Sequence, residues 1–323
     1  MQQTLKYYAL DRVSASFEAR GFSVKLARVG GRKCLVLTAP DGKVSVTLAS
    51  AFFDPLVSAL AKKVSIDKQF AYGLADLLGV STPETLEFPA SVTEIEAFLQ
   101  KHRSLVAKPL DSHGGTGVTV GLTDLPMVQA AIEHGYDSSG TMLLQRQIIG
   151  EELRFTIIGG KIATVLLRQT PRVVGDGHTT VAQLIKRENQ VRQTLVFEYL
   201  RYPQLDKTII PDAFLADQRV LSEGDVLELT HSTMIRGGAS IYEVTDTVHD
   251  SYKQITLQLA ENLNPEFLVV DMMIKDYTVP RTAQNYAFIE FNTAPSLKLY
   301  YSIRDGQHFD IVEKIADMID SRI

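Results

Sequence analysis

Asp271, Glu290 and Asn292 have the types and spacing in this sequence that most plainly suit chemistry. They sit in two apolar runs, FLVVDMMIK (267–275) and YAFIEFNTAPS (286–296), and both runs read as strands. Side chains alternate along a strand with a period of two, so Glu290 and Asn292 project from one face while Phe291 points the other way. An aspartate on a neighbouring strand can converge with them. Two carboxylates and an amide oxygen make a hard oxygen cluster, suited to Mg²⁺ held jointly with the phosphates of a nucleotide. The pattern alone does not separate such a site from a structural cluster.

A second signal is AKPLDSHGGTGV (107–118), where a strand delivers Lys108 into a loop containing Ser112, Gly114, Gly115 and Gly117. Glycines let backbone N–H groups turn toward phosphate oxygens, and a lysine adds a compact positive charge. The run matches neither GxxxxGK[ST] nor GxGxxG. Its plain alternative is a hairpin turn with a solvated Ser112–His113 pair. Lys68 lies off the apolar stripe of a helix and is free to reach a phosphate, although an exposed helix lysine is the commoner reading. QRQIIGEELRF (145–155) reads as a hinge whose backbone can face an adenine while Glu152 reaches a ribose, or as a surface connection.

The elements that must position these residues are mixed. Residues 1–62 alternate short helical and strand-like runs, YALDRVSASFEARG, FSVKLARV, CLVLTAP and KVSVTLAS, as a small α/β lobe. A helix follows with Ser65 as N-cap, an apolar stripe of Ile66, Phe70, Leu74, Leu77 and Leu78, and Gly79 to end it. From about 85 to 145 the pattern gives helix 94–101, strand 104–110, strand 118–122, helix 125–134 capped by Asp124, and strand 141–145. Beyond 146 strands dominate, with helices near 180–189, 250–263 and 308–320. No internal repeat or low-complexity segment is visible. The order of elements predicts α+β lobes rather than a regular βαβ winding, divided at 1–62, 63–145 and 146–323.

At 323 residues with a formal net charge of -5, the chain is long enough for two domains and lacks the basic block of a nucleic-acid or anionic-membrane binder. A single cysteine, Cys34 in the apolar run CLVLTA, excludes an intramolecular disulfide framework and reads as a small buried hydrophobe. The N-terminus has no apolar h-region and no later run is long enough to cross a bilayer, so the expectation is a soluble, cytoplasmic protein acting on small molecules, with a homodimer left open.

Taken in order, lysine helix, strand–KP–glycine loop, hinge with G-x-E, aspartate on one strand and E-x-N-x-x-P on the next, the chain resembles the ATP-grasp superfamily over about residues 63–310. PRVVGDGHTTVAQLIKREN (171–189), IRGGASIYEVTDTVH (235–249) and FNTAPSLKLYY (291–301) are similar to the ATP-grasp modules of cyanophycin synthetase and of the bifunctional glutathione synthetase. RGGAS also resembles the enzymes that add glutamate to a ribosomal protein. The resemblance implies two α/β lobes clasping ATP. Lys68 and Lys108 would contact its phosphates under the 112–117 loop, Gln145 and Ile148 would flank adenine, and Glu152 would bind ribose. Asp271, Glu290 and Asn292 would hold two Mg²⁺ ions, with Mn²⁺ as an alternative, bridging the β- and γ-phosphates.

The implied reaction is carboxylate–amine ligation: a carboxylate attacks the γ-phosphate to give an acylphosphate, and an amine, from an amino acid or peptide, displaces phosphate. Many relatives carry a glutamate at the position of Gln145, and the D-alanine ligase branch has an arginine at the position of Val269. Charge stabilisation must then come from elsewhere, with Arg236 beside Gly237-Gly238 favoured for the oxyanion and Arg168 as a second guanidinium, a clamp on the substrate carboxylate. Thr233 and one extra residue between Gly238 and Thr245 also depart from relatives, which affects the acceptor side. Arg168, Arg172, Arg192 and Arg236 suggest an acidic amino acid or peptide substrate. The turn at Gly175-Asp176-Gly177 leads into a helix capped near Thr179 whose N–H groups could take a carboxylate, or is a plain tight turn. Neither His113 nor His178 is assigned a role. Two other readings remain, a nucleotide-binding regulator without turnover and a small-molecule kinase.

Overall fold

The structure, a computed structural model, describes residues 9–110, 117–139, 142–263 and 265–322, with the side chains of 136–139 outside it. Helix α1 (Leu10–Ala19) is followed by an antiparallel meander of β1 (Ser23–Val29), β2 (Arg32–Thr38) and β3 (Val44–Leu48). The β1–β2 turn is Gly30-Gly31, with Val29 paired to Arg32 and φ of +54° and +80° at the glycines. Positive φ at both central residues is what a tight two-residue hairpin demands.

The expected single helix at 66–78 is two helices, α2 (Ala59–Ile66) and α3 (Lys68–Leu77). Ser65 is not the cap. Ser58 Oγ accepts from the Ala61 N–H at 3.0 Å, and the Asp67 carboxylate accepts from the Phe70 N–H at 3.0 Å. The buried face of α3 is Ala71, Tyr72 and Ala75 rather than the larger apolar side chains, and Leu77 is 81% exposed. Two alanines let α3 lie close on the strand beneath it, and that close approach overrides the stripe of leucines.

Four strands, β4 (Thr85–Glu87), β5 (Leu105–Pro109), β6 (Thr119–Leu122) and β7 (Met142–Arg146), form an antiparallel sheet in the order β4-β7-β5-β6. Helices α4 (Val92–His102) and α5 (Leu125–Ser139) cover one face, packing Ile95, Phe98, Leu99 and Val128 on Leu105, Ala107, Met142 and Leu144. Ser91 and Glu94 close a capping box at the start of α4, and Asp124 accepts from the Met127 N–H at 2.9 Å.

The remaining chain builds β8 (Glu151–Ile158), β9 (Lys161–Gln169), β10 (Arg172–Val174), α6 (Val181–Thr194), α7 (Asp212–Leu215), β11 (Val226–Glu228), β12 (Ser240–Glu243), α8 (Asp250–Glu261), β13 (Phe267–Ile274), β14 (Tyr286–Asn292) and α9 (Ile311–Asp320). Five of these strands form an antiparallel sheet in the order β12-β9-β8-β13-β14. One face, with Leu153, Phe155, Leu167, Val270 and Met272, buries against Tyr252, Ile255 and Leu259 of α8 and against α2 and α3. On the other face Leu166, Ile241, Phe267 and Val269 share a cluster with Phe17 of α1, Leu35 and Leu37 of β2, and Ile315 and Ile319 of α9. The N-terminal unit thus buries its apolar side on the large sheet. Each such fully buried side chain contributes roughly 1.5–3 kcal/mol. No helix among the described residues is long and apolar enough to cross a membrane.

Candidate functional site

The second face of the large sheet changes character toward one end. Asp271 on β13 pairs directly with Glu290 on β14 and with Arg154 on β8, while Glu152, two residues before Arg154, pairs with Arg168 on β9. Directly paired residues of antiparallel strands share a face, so five charged side chains collect there. Val269 pairs with Asn292, which puts the amide on the same face as Glu290, in line with the alternation of the sequence.

Register here depends on a bulge. Asp271 faces Glu290 but Met272 faces Phe288, leaving Ile289 unpaired on β14. One strand thereby presents Glu290 to the polar face and Phe288 to the apolar one, as bulges beside functional sites commonly re-aim side chains. The freed Ile289 carbonyl accepts from the Tyr72 hydroxyl at 2.9 Å, so α3 buttresses the bulge.

Asp271 is 1% exposed and is held by both arms of Arg154, Nε to Oδ1 at 2.8 Å and Nη2 to Oδ2 at 2.6 Å. Burial opposes its charge, but the guanidinium outweighs burial and keeps that carboxyl below the usual range. Glu290 goes the other way: burial first, then the Asp271 charge beside it, push it up to about 7, despite the opposing pull of Arg154 and Lys108. The carboxylate pair therefore retains a proton near neutrality, the signature of a pair short of positive charge. Asn292 accepts the Ala294 N–H at 2.9 Å and so turns the chain out of β14.

The small sheet faces this cluster. Lys108 is 8% exposed, donates to the Tyr72 hydroxyl, and lies 4.9 Å from the centre of that ring. Gln145 is buried, with its amide N–H donating to Thr85 Oγ1 at 2.8 Å and its oxygen 3.4 Å from the Tyr72 hydroxyl. Lys68, at the first position of α3, donates to the Leu110 carbonyl at 2.6 Å, which sets it at the mouth of the glycine loop. Ser112, Gly114 and Gly115 of that loop, with His113, lie outside the described residues. Gly117 at its exit has φ of +73°. Ile148 is half-buried in the 147–150 connection between the sheets. In that connection a Cβ on Gly150 would stand 2.5 Å from the Ile274 carbonyl oxygen, so the hinge can pass the end of β13 only as glycine.

Glu152 is taken up by Arg168, with side chains 13% and 15% exposed. Arg236 is exposed in the turn Ile235–Gly237 that precedes β12. Of the expected arginine group, Arg172 pairs with Glu151 at 2.6 and 3.0 Å, and Arg192 is buried against Glu188 at 2.8 Å. At Gly175-Asp176-Gly177 the helix cap is Thr180, and the Thr179 N–H goes to Asp176 at 2.7 Å, so that turn satisfies itself. His178 is exposed. Two residues of the site were missed. Arg154 carried a readable signal, since it lies two positions after Glu152 in a strand. Tyr72 carried none, because a tyrosine on the buried face of a helix reads as core.

The site defines a class. Two antiparallel sheets, joined by a short connection through Gly150, face each other across lysines on one side and paired carboxylates on the other, and the fold is that of the ATP-grasp ligases. No protein-family model matches the chain. It is similar to bifunctional glutathione biosynthesis proteins: 23% identical over 228 residues to that of Clostridium perfringens (68% of this chain, 29% of the relative), and 28% over 257 residues to that of Streptococcus thermophilus (76% and 34%). The chain thus spans about a third of the length of these relatives. Among solved structures, a bifunctional glutathione synthetase from Pasteurella multocida superposes with a TM-score of 0.62 at 20% identity, over 95% of this chain and 44% of that one. The ATP-grasp ligase PsnB, in a complex with a variant precursor, Mg and ADP, gives 0.51 at 12% identity, over 97% and 94%.

Proposed function

We propose that this chain is an ATP- and Mg²⁺-dependent ligase that joins a carboxylate to an amine, on amino acid or peptide substrates, through an acylphosphate. The observation that carries the reading is the facing pair Asp271–Glu290, set on neighbouring strands with Arg154 between sheet and carboxylate and with Lys108 opposite.

The residues fit a divalent cation. Asp271 and Glu290 supply carboxylate oxygens, Asn292 an amide oxygen, and the proton retained by Glu290 marks a charge that a cation would replace. Bound there, Mg²⁺ would offset the charge of the phosphoryl group in transfer. Lys108 and Lys68 hold phosphate oxygens from the small-sheet side. Arg154 keeps Asp271 ionised and, from the same face, is placed to share in offsetting the negative charge that develops on the reacting oxygens. Glu152 holds Arg168 in position on the adjoining strand, where its guanidinium can clamp the substrate carboxylate. Gln145 and Ile148 line the adenine end, and Arg236, in the 235–237 turn, is the candidate donor to the oxyanion. The units 63–145 and 146–323 form the two halves of the clasp. The cysteine count of one is what supports a cytoplasmic location in this reading.

The test is ADP release over pooled amino acids and dipeptides, with mass spectrometry for a product lighter by one water than its two parts. Release that needs no amine and yields no amide would make the protein a kinase. Full activity in Glu290→Ala would remove the metal assignment.

A further inference from the structure

A cavity of about 440 Å³ opens between α6, β10 and the β9–β12 edge. Ser240 and Tyr242 on its floor pair with Gln169 and Leu167, whereas Arg168 pairs with Ile241 and with Glu152. The alternation puts the cavity on the sheet face opposite Asp271 and Glu290. Its size suits a small molecule rather than a bare ion.

The walls are of two kinds. Val173, Leu184 and Val191 make an apolar side, while Arg172, Arg192 and Arg304 make a cationic one whose only lining carboxylate is Glu188. Glu188 is shared: Oε1 accepts from Arg192 Nε at 2.8 Å and from Arg304 Nη1 at 2.5 Å, and Oε2 from Arg304 Nη2 at 2.8 Å. One carboxylate thus serves two guanidinium groups; Arg192 is 3% exposed, and its Nη groups donate to the Pro203 and Gly238 carbonyls at 3.2 and 2.8 Å and to Ser240 Oγ at 3.2 Å. Burial, and then the like charge of Arg304 working against Glu188, make Arg192 easier to deprotonate than usual. Arg172 is held from outside the cavity by Glu151 and Glu228, yet its Nε–H is buried without an acceptor among the described residues. Arg187, at the rim, pairs with Asp176.

We propose that this cavity binds a small organic anion, an oxyanion head on an apolar body, at a site separate from the nucleotide cleft. The head meets Arg304, with the buried charge of Arg192 behind it, and the body lies on the valine and leucine wall.

The test is isothermal titration calorimetry of the full chain with N-acetyl-L-leucine, hexyl phosphate and sulfate, with and without ATP. Saturable binding of either organic probe, at least about tenfold tighter than sulfate, is expected, and the tighter of the two identifies the head as carboxylate or phosphate. Arg304→Gln should weaken that probe about tenfold or more while ATP affinity stays within about twofold. Should Arg304→Gln not fold, Arg187→Gln, an exposed substitution, should weaken it about threefold by loss of rim charge. Sulfate binding as tightly as both organic probes, displacement of the probe by ATP, or equal affinity in the folded variant would each overturn the proposal. The ligase reading rests on the other face of the sheet and stands or falls separately.

Discussion

Glu290→Gln should make the free protein more stable at alkaline pH and inactive. Glu290 is pushed from an ordinary 4.5 up to about 7 by burial and by Asp271 beside it. A carboxyl whose folded-state value is raised binds its proton more tightly in the folded protein. That contribution is complete below 4.5 and is lost as pH rises through about 7. The shift of about 2.5 units, at 1.36 kcal/mol each, costs the folded state about 3 kcal/mol once Glu290 is ionised. The residue lines a cleft and is half-buried at its surface, so water screening and the residual burial cost of the amide reduce the net gain to about 2 kcal/mol. With an unfolding entropy of roughly 0.7 kcal/mol/K for a chain of this length, Tm should rise by about 3 °C at pH 8 and by close to nothing at pH 4.5. The assay is thermal unfolding of both proteins at the two pH values without nucleotide or metal, alongside ADP release. A Tm difference that is the same at both pH values, or a variant less stable at pH 8, would refute the argument that an unmatched negative charge sits at this position.

Arg154→Met should cost about 3–5 kcal/mol in urea unfolding, because it leaves the Asp271 carboxylate buried and unpaired, and Arg154→Met/Asp271→Leu should regain most of that loss. Tyr72→Phe should destabilise by about 1–2 kcal/mol through the orphaned Ile289 carbonyl, and the affinity for ATP, read by calorimetry, should fall because Lys108 loses its partner. Gly150→Ala should cost about 1–3 kcal/mol by displacing the hinge from Ile274, with wild-type stability in that variant as the contrary result.

Why some of this architecture was legible and some was not comes down to range. Glu290 and Asn292 declare their shared face by alternation alone, and the helix near 94–101 declares its start through Ser91 and Glu94, since both signals are complete within a few residues. The helix before it misleads for the opposite reason. Ile66, Phe70 and Leu77 form a good stripe locally, but α3 packs on β14, and there Ala71 and Ala75 allow the closer approach. Arginine roles were least legible, because a guanidinium is assigned by the carboxylate that happens to face it across strands. Arg154 and Arg168 meet Asp271 and Glu152 at residues 117 and 16 positions away.

The bulge at Ile289 shows where the missing information resides. Without the extra residue, β14 could not present Phe288 to the core and Glu290 to Asp271 while both strands stay in register. Its carbonyl then accepts from Tyr72, whose hydroxyl is also the partner of Lys108. One tyrosine thus ties the helix, the small sheet and the carboxylate strand together, so the geometry that brings Lys108 opposite the Asp271–Glu290 pair is set by a residue outside that pair. It follows that the position of Lys108 and the protonation of Glu290 are not independent. Moving that ammonium away removes one of the charges holding the Glu290 carboxyl down, and so raises it further. Charge balance in this cleft is a property of the closed arrangement of both sheets, which no window of sequence around either residue contains.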